Sequence, residues 1–223
     1  MEGKNVAPEA LTEEEIWQKI GEFRQAARNV VDAGGDGVEI HGAHGDSINN
    51  RTDKWGGSVE NRARFLLEVI KATVEEIGAE RTALRLSPFA TYQAAYTSNT
   101  WDQFGYIFNE LKKAGYKLAY VSLVEPRGNP ATILATPKDL ASDKVSPFGD
   151  RKQSLEYFLE IYKKWDVVVA FGRWFISNPD LVYRLKYGVP LTPYQRDTFY
   201  APKTDKGYND YTFSPGYLEA TKA

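Results

Sequence analysis

GVEIHGAHG, residues 37–45, decides how the rest of the chain is read. GVEIHG is short, apolar and β-branched, and it ends on His41, with His44 three positions on. These are the only two histidines in 223 residues. Upstream, EEEIWQKIGEFRQAARNVVDAGG places Ile16, Ile20, Phe23, Ala27, Val30 and Val31 at helical spacing. Thr12 and Glu15 make a capping box, three glutamates suit the positive end, and Gly34–Gly35 stop the helix. Downstream, Ser58 caps a second helix that runs to about Gly78, and TALRLSP (82–88) is a second strand closed by Pro88. The pattern repeats with a helix near 101–114 and a strand at YKLAYVSLVEP (116–126). A Pro/Gly/Asn-rich loop, a helix near 151–164 and a strand at WDVVVAFGR (165–173) follow, then a short helix begun by Asn178–Pro179. Strands alternating with helices at this rhythm predict a parallel sheet with crossover helices.

Four such strands are legible, half of what a closed (β/α)8 barrel requires. Each ends in polar or charged residues: His41, Arg85 with Ser87, Glu125 with Arg127, and Gly172 with Arg173. Ligands of parallel α/β folds bind at the carboxyl ends of the strands, so these residues are candidates for one site. No internal repeat or low-complexity segment interrupts the chain. A single domain over 1–223 is expected, with 189–223 as an aromatic, polar tail packed on or extending from it.

Composition narrows the chemistry. A net charge of −2 argues against a nucleic-acid surface, which needs a clustered basic excess. The absence of cysteine excludes disulfides, thiolate metal sites and cysteine nucleophiles. MEGKNVAPEALTEEE has no apolar stretch of the signal-peptide kind, and no run is long enough to span a bilayer, so a cytoplasmic location and no membrane partner are expected. Fourteen Tyr, eleven Phe and five Trp suit a planar ligand, although aromatics also fill cores. The histidine pair admits three uses: polar satisfaction of a strand end, a metal site with Glu39 or Asp46, or two donors converging on one oxygen. Metal is the weakest, because strand alternation puts Glu39 and His41 on one face while His44 lies beyond the strand.

Taken in order, GVEIHGAHG, RTDKWGGSVENRARF, LRLSPF, LVEPR, VVAFGRWFISNPDLVYRLKYG and YQRDTFY resemble the Old Yellow Enzyme family in its fungal form. The resemblance runs from about Leu11 to Tyr200. It implies an FMN-dependent ene-reductase on an eight-stranded β/α barrel, in which NAD(P)H reduces FMN and the flavin passes hydride to an α,β-unsaturated carbonyl. The strands present resemble the fourth, fifth, sixth and eighth, so the expected fold is an incomplete TIM barrel. His41 and His44 match the pair that hydrogen-bonds the substrate carbonyl, a form of oxyanion stabilisation. Arg85 matches the arginine beside the flavin pyrimidine ring. Gly172 and Arg173 match the phosphate ligands, where a guanidinium and a close backbone approach act together. Phe199 and Tyr200 resemble residues that close over the flavin.

The same comparison marks departures. Three strands of the family pattern would precede Met1, and the seventh strand with its helix has no counterpart at Lys164–Trp165. The family places a tyrosine directly after the glycine that follows the histidine pair, as proton donor to the α-carbon. Here Gly45 is followed by Asp46, whose ordinary pKa of about 3.9 leaves it ionised at neutral pH. Tyr92 and Tyr96 are the nearest phenols in sequence. The expectation is a shortened, inactive homologue of fungal secondary metabolism, such as an ergot-alkaloid pathway. An active or isomerising enzyme using His41 and His44 is one alternative. A half-barrel that self-associates through open sheet edges is another. RTDKWGG is expected to be a fold element, with Arg51 paired to Asp53 and Gly56–Gly57 turning before the Ser58 cap.

Overall fold

The computed structural model describes residues 9–43, 49–88, 100–124, 163, 166, 168 and 170–222. The chain divides into two compact units, Met1–Ser154 and Leu155–Ala223.

The first unit is built in the order α1 (Glu13–Asp32), β1 (Val38–His41), α2 (Val59–Ile77), β2 (Thr82–Leu86), α3 (Thr100–Lys113) and β3 (Val121–Leu123). The capping box forms as the sequence predicts. Glu15 N–H donates to Thr12 Oγ1 at 3.3 Å, while Thr12 N–H donates to Glu15 Oε2 at 2.7 Å, which satisfies amides the helix cannot. At the other end Gly34 takes φ +89°, a conformation that stops the helix and favours glycine. The α2 helix starts at Ser58, whose Oγ accepts from Asn61 N–H, and ends at Gly78, φ +90°.

The three strands pair in parallel in the order β1-β2-β3. Ile16, Ile20, Ile40, Leu66, Val69, Ile70, Leu84, Leu86, Phe104 and Ile107 form one core between sheet and helices. Ile70, Leu84, Leu86 and Ile107 are fully buried, each worth roughly 1.5–3 kcal/mol of transfer free energy. Register decides what lies on the opposite face. Glu39 pairs with Ala83, His41 with Arg85, and Arg85 with Ser122. Partners in register point to the same side of a sheet, so the face away from the core carries Glu39, His41, Arg85 and Ser122.

RTDKWGG folds as expected. Arg51 grips Asp53 with two hydrogen bonds, Nε to Oδ1 at 3.1 Å and Nη2 to Oδ2 at 2.6 Å, and gives Nη1–H to Leu11 O. The Arg51 bonds, followed by the Trp55 N–H bond, lower Asp53 to about 2. Gly57 takes φ +85°, and Trp55 is buried against Trp17 edge to face.

Two strand boundaries differ from the sequence expectation. The third strand was expected over 116–126, but β3 is Val121–Leu123 only; residues 116–120 precede the ladder, and 125–126 lie outside the described residues. The strand expected at 165–173 is not seen among the described residues. Trp165, Val167 and Val169 fall outside them, and Asp166, Val168 and Ala170 to Gly172 are not in a strand. Val168 is 93% exposed, and an apolar run becomes a strand only when a ladder partner takes its backbone groups. Arg173 instead opens a helix, α4 (Arg173–Ser177). The helix expected near 151–164 and the joint at Lys164–Trp165 cannot be placed, because residue 163 alone is described there.

In the second unit α4 is followed by α5 (Leu181–Tyr187) and α6 (Pro215–Ala220). The segment without helical or strand period from Val189 onward is held by polar contacts. Buried Asp180 accepts from Ser214 N–H at 2.8 Å, from the Ser214 hydroxyl, and from Arg184 Nε at 2.6 Å. Arg184 also donates to Pro190 O at 2.8 Å. Burial pushes the Asp180 carboxyl up, but the bonds from Ser214 and Arg184 outweigh it and hold the group below its ordinary value.

Candidate functional site

Each unit carries candidate residues of its own. In the first, His41 closes β1 and is exposed on the open face. Its Nδ1 accepts the backbone N–H of Ala43 at 3.0 Å. An accepting Nδ1 leaves the proton of a neutral imidazole on Nε2, so the outer nitrogen is the donor. The turn that makes this bond is tightly set. Ala43 takes φ +43°, uncommon for a residue with a side chain. Gly42 N–H donates to Arg85 O at 2.9 Å, and Ser87 N–H donates to Ala43 O at 2.7 Å. A Cβ on Gly42 would lie 2.9 Å from Leu86 Cδ2 and 3.0 Å from Leu66 Cδ2, so a side chain there would have to displace these two core leucines.

Arg85 stands beside His41 on β2, half-buried, with Nη1 donating to Ser122 Oγ at 2.8 Å. Among the described residues no carboxylate forms an ion pair with it. One row deeper, the Tyr120 hydroxyl donates to Glu39 across the sheet. That bond and burial raise the phenol above its ordinary value, while the positive Arg85 opposes them. The open face is therefore a layered polar surface, Glu39–Tyr120 below and His41–Arg85–Ser122 above.

In the second unit Arg173 is half-buried at the start of α4, behind Gly172. A Cβ on Gly172 would meet nothing within 4 Å, so no described neighbour demands glycine there. Arg173 Nη1 donates to Tyr194 Oη at 3.4 Å, and its guanidinium carbon lies 5.8 Å from the Tyr194 ring centre. Tyr200 is 84% exposed, 5.4 Å from the Arg196 guanidinium. Phe199 packs on Tyr194.

The structure brings His41 and Arg85 together, as neighbours in register. His44 and Asp46, Tyr92 and Tyr96, and Glu125 and Arg127 lie outside the described residues. Sequence reading passed over Ser122, Tyr120 and Tyr194. Ser122 and Tyr120 were findable, since counting back from LVEP by twos picks out one strand face. Tyr194 has no such signal. Among the described residues no three His, Cys, Asp or Glu side chains gather to hold a metal ion, and no helix is long and apolar enough to cross a membrane.

A parallel sheet with helices on one side and polar residues at its strand ends is the frame of a β/α fold. Residues 1–192 match the NADH:flavin oxidoreductase / NADH oxidase family, and the chain belongs to that family. It is 46% identical over 234 residues to a chanoclavine-I aldehyde reductase of Penicillium roqueforti, covering 97% of this chain and 63% of that protein. It is 42% identical over 241 residues to an aldehyde reductase of a Cladobotryum species, covering 98% and 63%. Among solved structures it resembles the Old Yellow Enzyme of a Pichia species, with a TM-score of 0.74 and 38% identity, covering 93% of this chain and 57% of that one. The chain thus spans 57–63% of the length of these relatives. Alignments of 234 and 241 residues are longer than the 223-residue chain, so the relatives hold internal residues that have no counterpart here.

Proposed function

We propose that this chain is a shortened homologue of FMN-dependent ene-reductases that keeps flavin- and carbonyl-facing residues but does not complete turnover. The observation that carries the reading is the His41–Arg85 pair, in register on the open sheet face, with His41 presenting Nε2–H outward. The donor set fits FMN. Arg85 offers guanidinium N–H groups that no described carboxylate occupies, suited to the electron-rich edge of the flavin pyrimidine ring. Arg173, with the open space beside Gly172, suits a phosphate, and Tyr200 is exposed enough to cover a ring. The hydride relay between NAD(P)H and an alkene is the chemistry that FMN supplies when bound. His41, with His44, would donate to the carbonyl oxygen of an enone or enal as negative charge develops there. Protonation of the α-carbon then needs an acid, and Asp46 after Gly45, ionised at neutral pH, is a poor one.

The match over residues 1–192 draws on residues of both units, which supports reading 1–223 as one partial barrel domain, with 189–223 as a tail packed on or extending from it. The named relatives favour an unsaturated aldehyde of fungal secondary metabolism, an ergot-alkaloid intermediate included, handled in the cytoplasm. An active or isomerising FMN enzyme that uses His41 and His44 without the usual tyrosine is the alternative. A third reading, self-association, rests on β3, where Val121 and Leu123 are 41% and 49% exposed on an edge strand.

The test is to titrate the full chain with FMN, then follow enone-dependent NADPH oxidation and the mass in solution. FMN binding without oxidation is expected, with binding weakened by Arg85→Ala. Turnover would overturn the inactive reading. Absence of FMN binding would overturn the flavin reading, and a flavin-free dimer would favour association.

A further inference from the structure

We propose that Tyr194 positions Arg173 for phosphate recognition, a role that rests on the flavin reading above. Arg173 is the first residue of a five-residue helix, and Tyr194 reaches its side chain from 21 positions along the chain. Tyr194 supplies two contacts at once: its hydroxyl accepts from Nη1 at 3.4 Å, and its ring lies 5.8 Å from the guanidinium carbon. A planar cation against an aromatic ring keeps its charge while losing freedom, which favours a doubly negative ligand.

Tyr194 can guide because it is itself fixed from both sides. Two residues earlier, Thr192 N–H donates to Asn178 Oδ1 at 2.7 Å, while Thr192 O accepts from Asn178 Nδ2 at 3.0 Å and Ser177 Oγ at 2.8 Å. Asn178 and Ser177 are fully buried. One residue later, Gln195 N–H donates to Tyr211 Oη at 3.1 Å. The ring is then walled by Trp174, edge to face at 5.2 Å, and by Phe199 at 5.6 Å. Trp174 adjoins Arg173 in sequence, so one aromatic cluster locks both the helix start and the guide.

FMN and riboflavin differ by the phosphate alone, so the full chain is titrated with both by flavin fluorescence, for wild type, Tyr194→Ala, Tyr194→Phe and Arg173→Ala. Wild type should prefer FMN. Tyr194→Ala should weaken FMN about tenfold, the size of a lost cation–π and hydrogen-bond pair, and leave riboflavin within about twofold. Tyr194→Phe, which keeps the ring, should fall between and guards against a fold defect. The Arg173→Ala/Tyr194→Ala double variant should be no weaker than Arg173→Ala alone. An unchanged FMN-to-riboflavin ratio in Tyr194→Ala, with Arg173→Ala still losing it, overturns the Tyr194 role only. Equal affinity of wild type for both flavins, or none for either, overturns the phosphate reading and this inference together.

Discussion

Arg85 and Arg173 are two candidate flavin contacts held by opposite means. Arg85 sits within a ladder. Its backbone pairs with β1 and β3, its neighbours His41 and Ser122 follow from register, and Leu84 and Leu86 on either side of it are fully buried. Arg173 sits at the edge of a short helix, and its contact with Tyr194 is supported from residues 192–211 through aromatic contacts and buried polar bonds. The first arrangement draws its rigidity from apolar burial, which is insensitive to pH. The second lies in a unit that also contains a buried charged clasp, Asp180 with Arg184, which is not.

The contrast is broken most directly at Asp180. Asp180→Asn leaves Arg184 buried without its counter-charge, and the second unit should lose about 3–5 kcal/mol, read by urea denaturation with near-ultraviolet circular dichroism. Acid tests the same clasp. The folded carboxyl lies below its ordinary value, so its contribution is present above that ordinary value and is lost as pH falls through the folded one. Protection of the Ser214 amide from hydrogen exchange should therefore fade as pH drops below about 4, with no matching change at β2. A first unit that loosened in step would erase the distinction. Next in size, Leu84→Ala should cost the first unit about 3 kcal/mol through the cavity it leaves, with a pH dependence no different from wild type. The smallest effect is expected at Ser122→Ala. Its stability cost should be about 1 kcal/mol or less, because Arg85 Nη1 can turn to water on the open face. The Arg85 side-chain N–H signals should nonetheless exchange faster by nuclear magnetic resonance.

The two settings also differ in how far they could be read from the sequence. The capping box at Thr12, the glycine stop at Gly34, the Arg51–Asp53 pair and the strand ends at His41 and Arg85 all follow from short-range rules, so they were visible before any coordinates. At 165–173 the described residues are not in a strand. VVVAF has strand composition, but whether it joins a ladder depends on partners far away in the chain. The Asp180–Ser214 and Arg173–Tyr194 contacts join residues 34 and 21 positions apart with no periodicity to announce them. Family likeness could point to Arg173, but only packing could point to Tyr194.

The bond from Ser87 N–H to Ala43 O, together with that from Gly42 N–H to Arg85 O, acts as a hem. It finishes the end of β1 at Ala43. The imidazole of His41 is thereby held by bonds that end at Ala43. The position is thus a natural splice point, where residues could be inserted by protein engineering while Nε2 of His41 stays where β1 puts it.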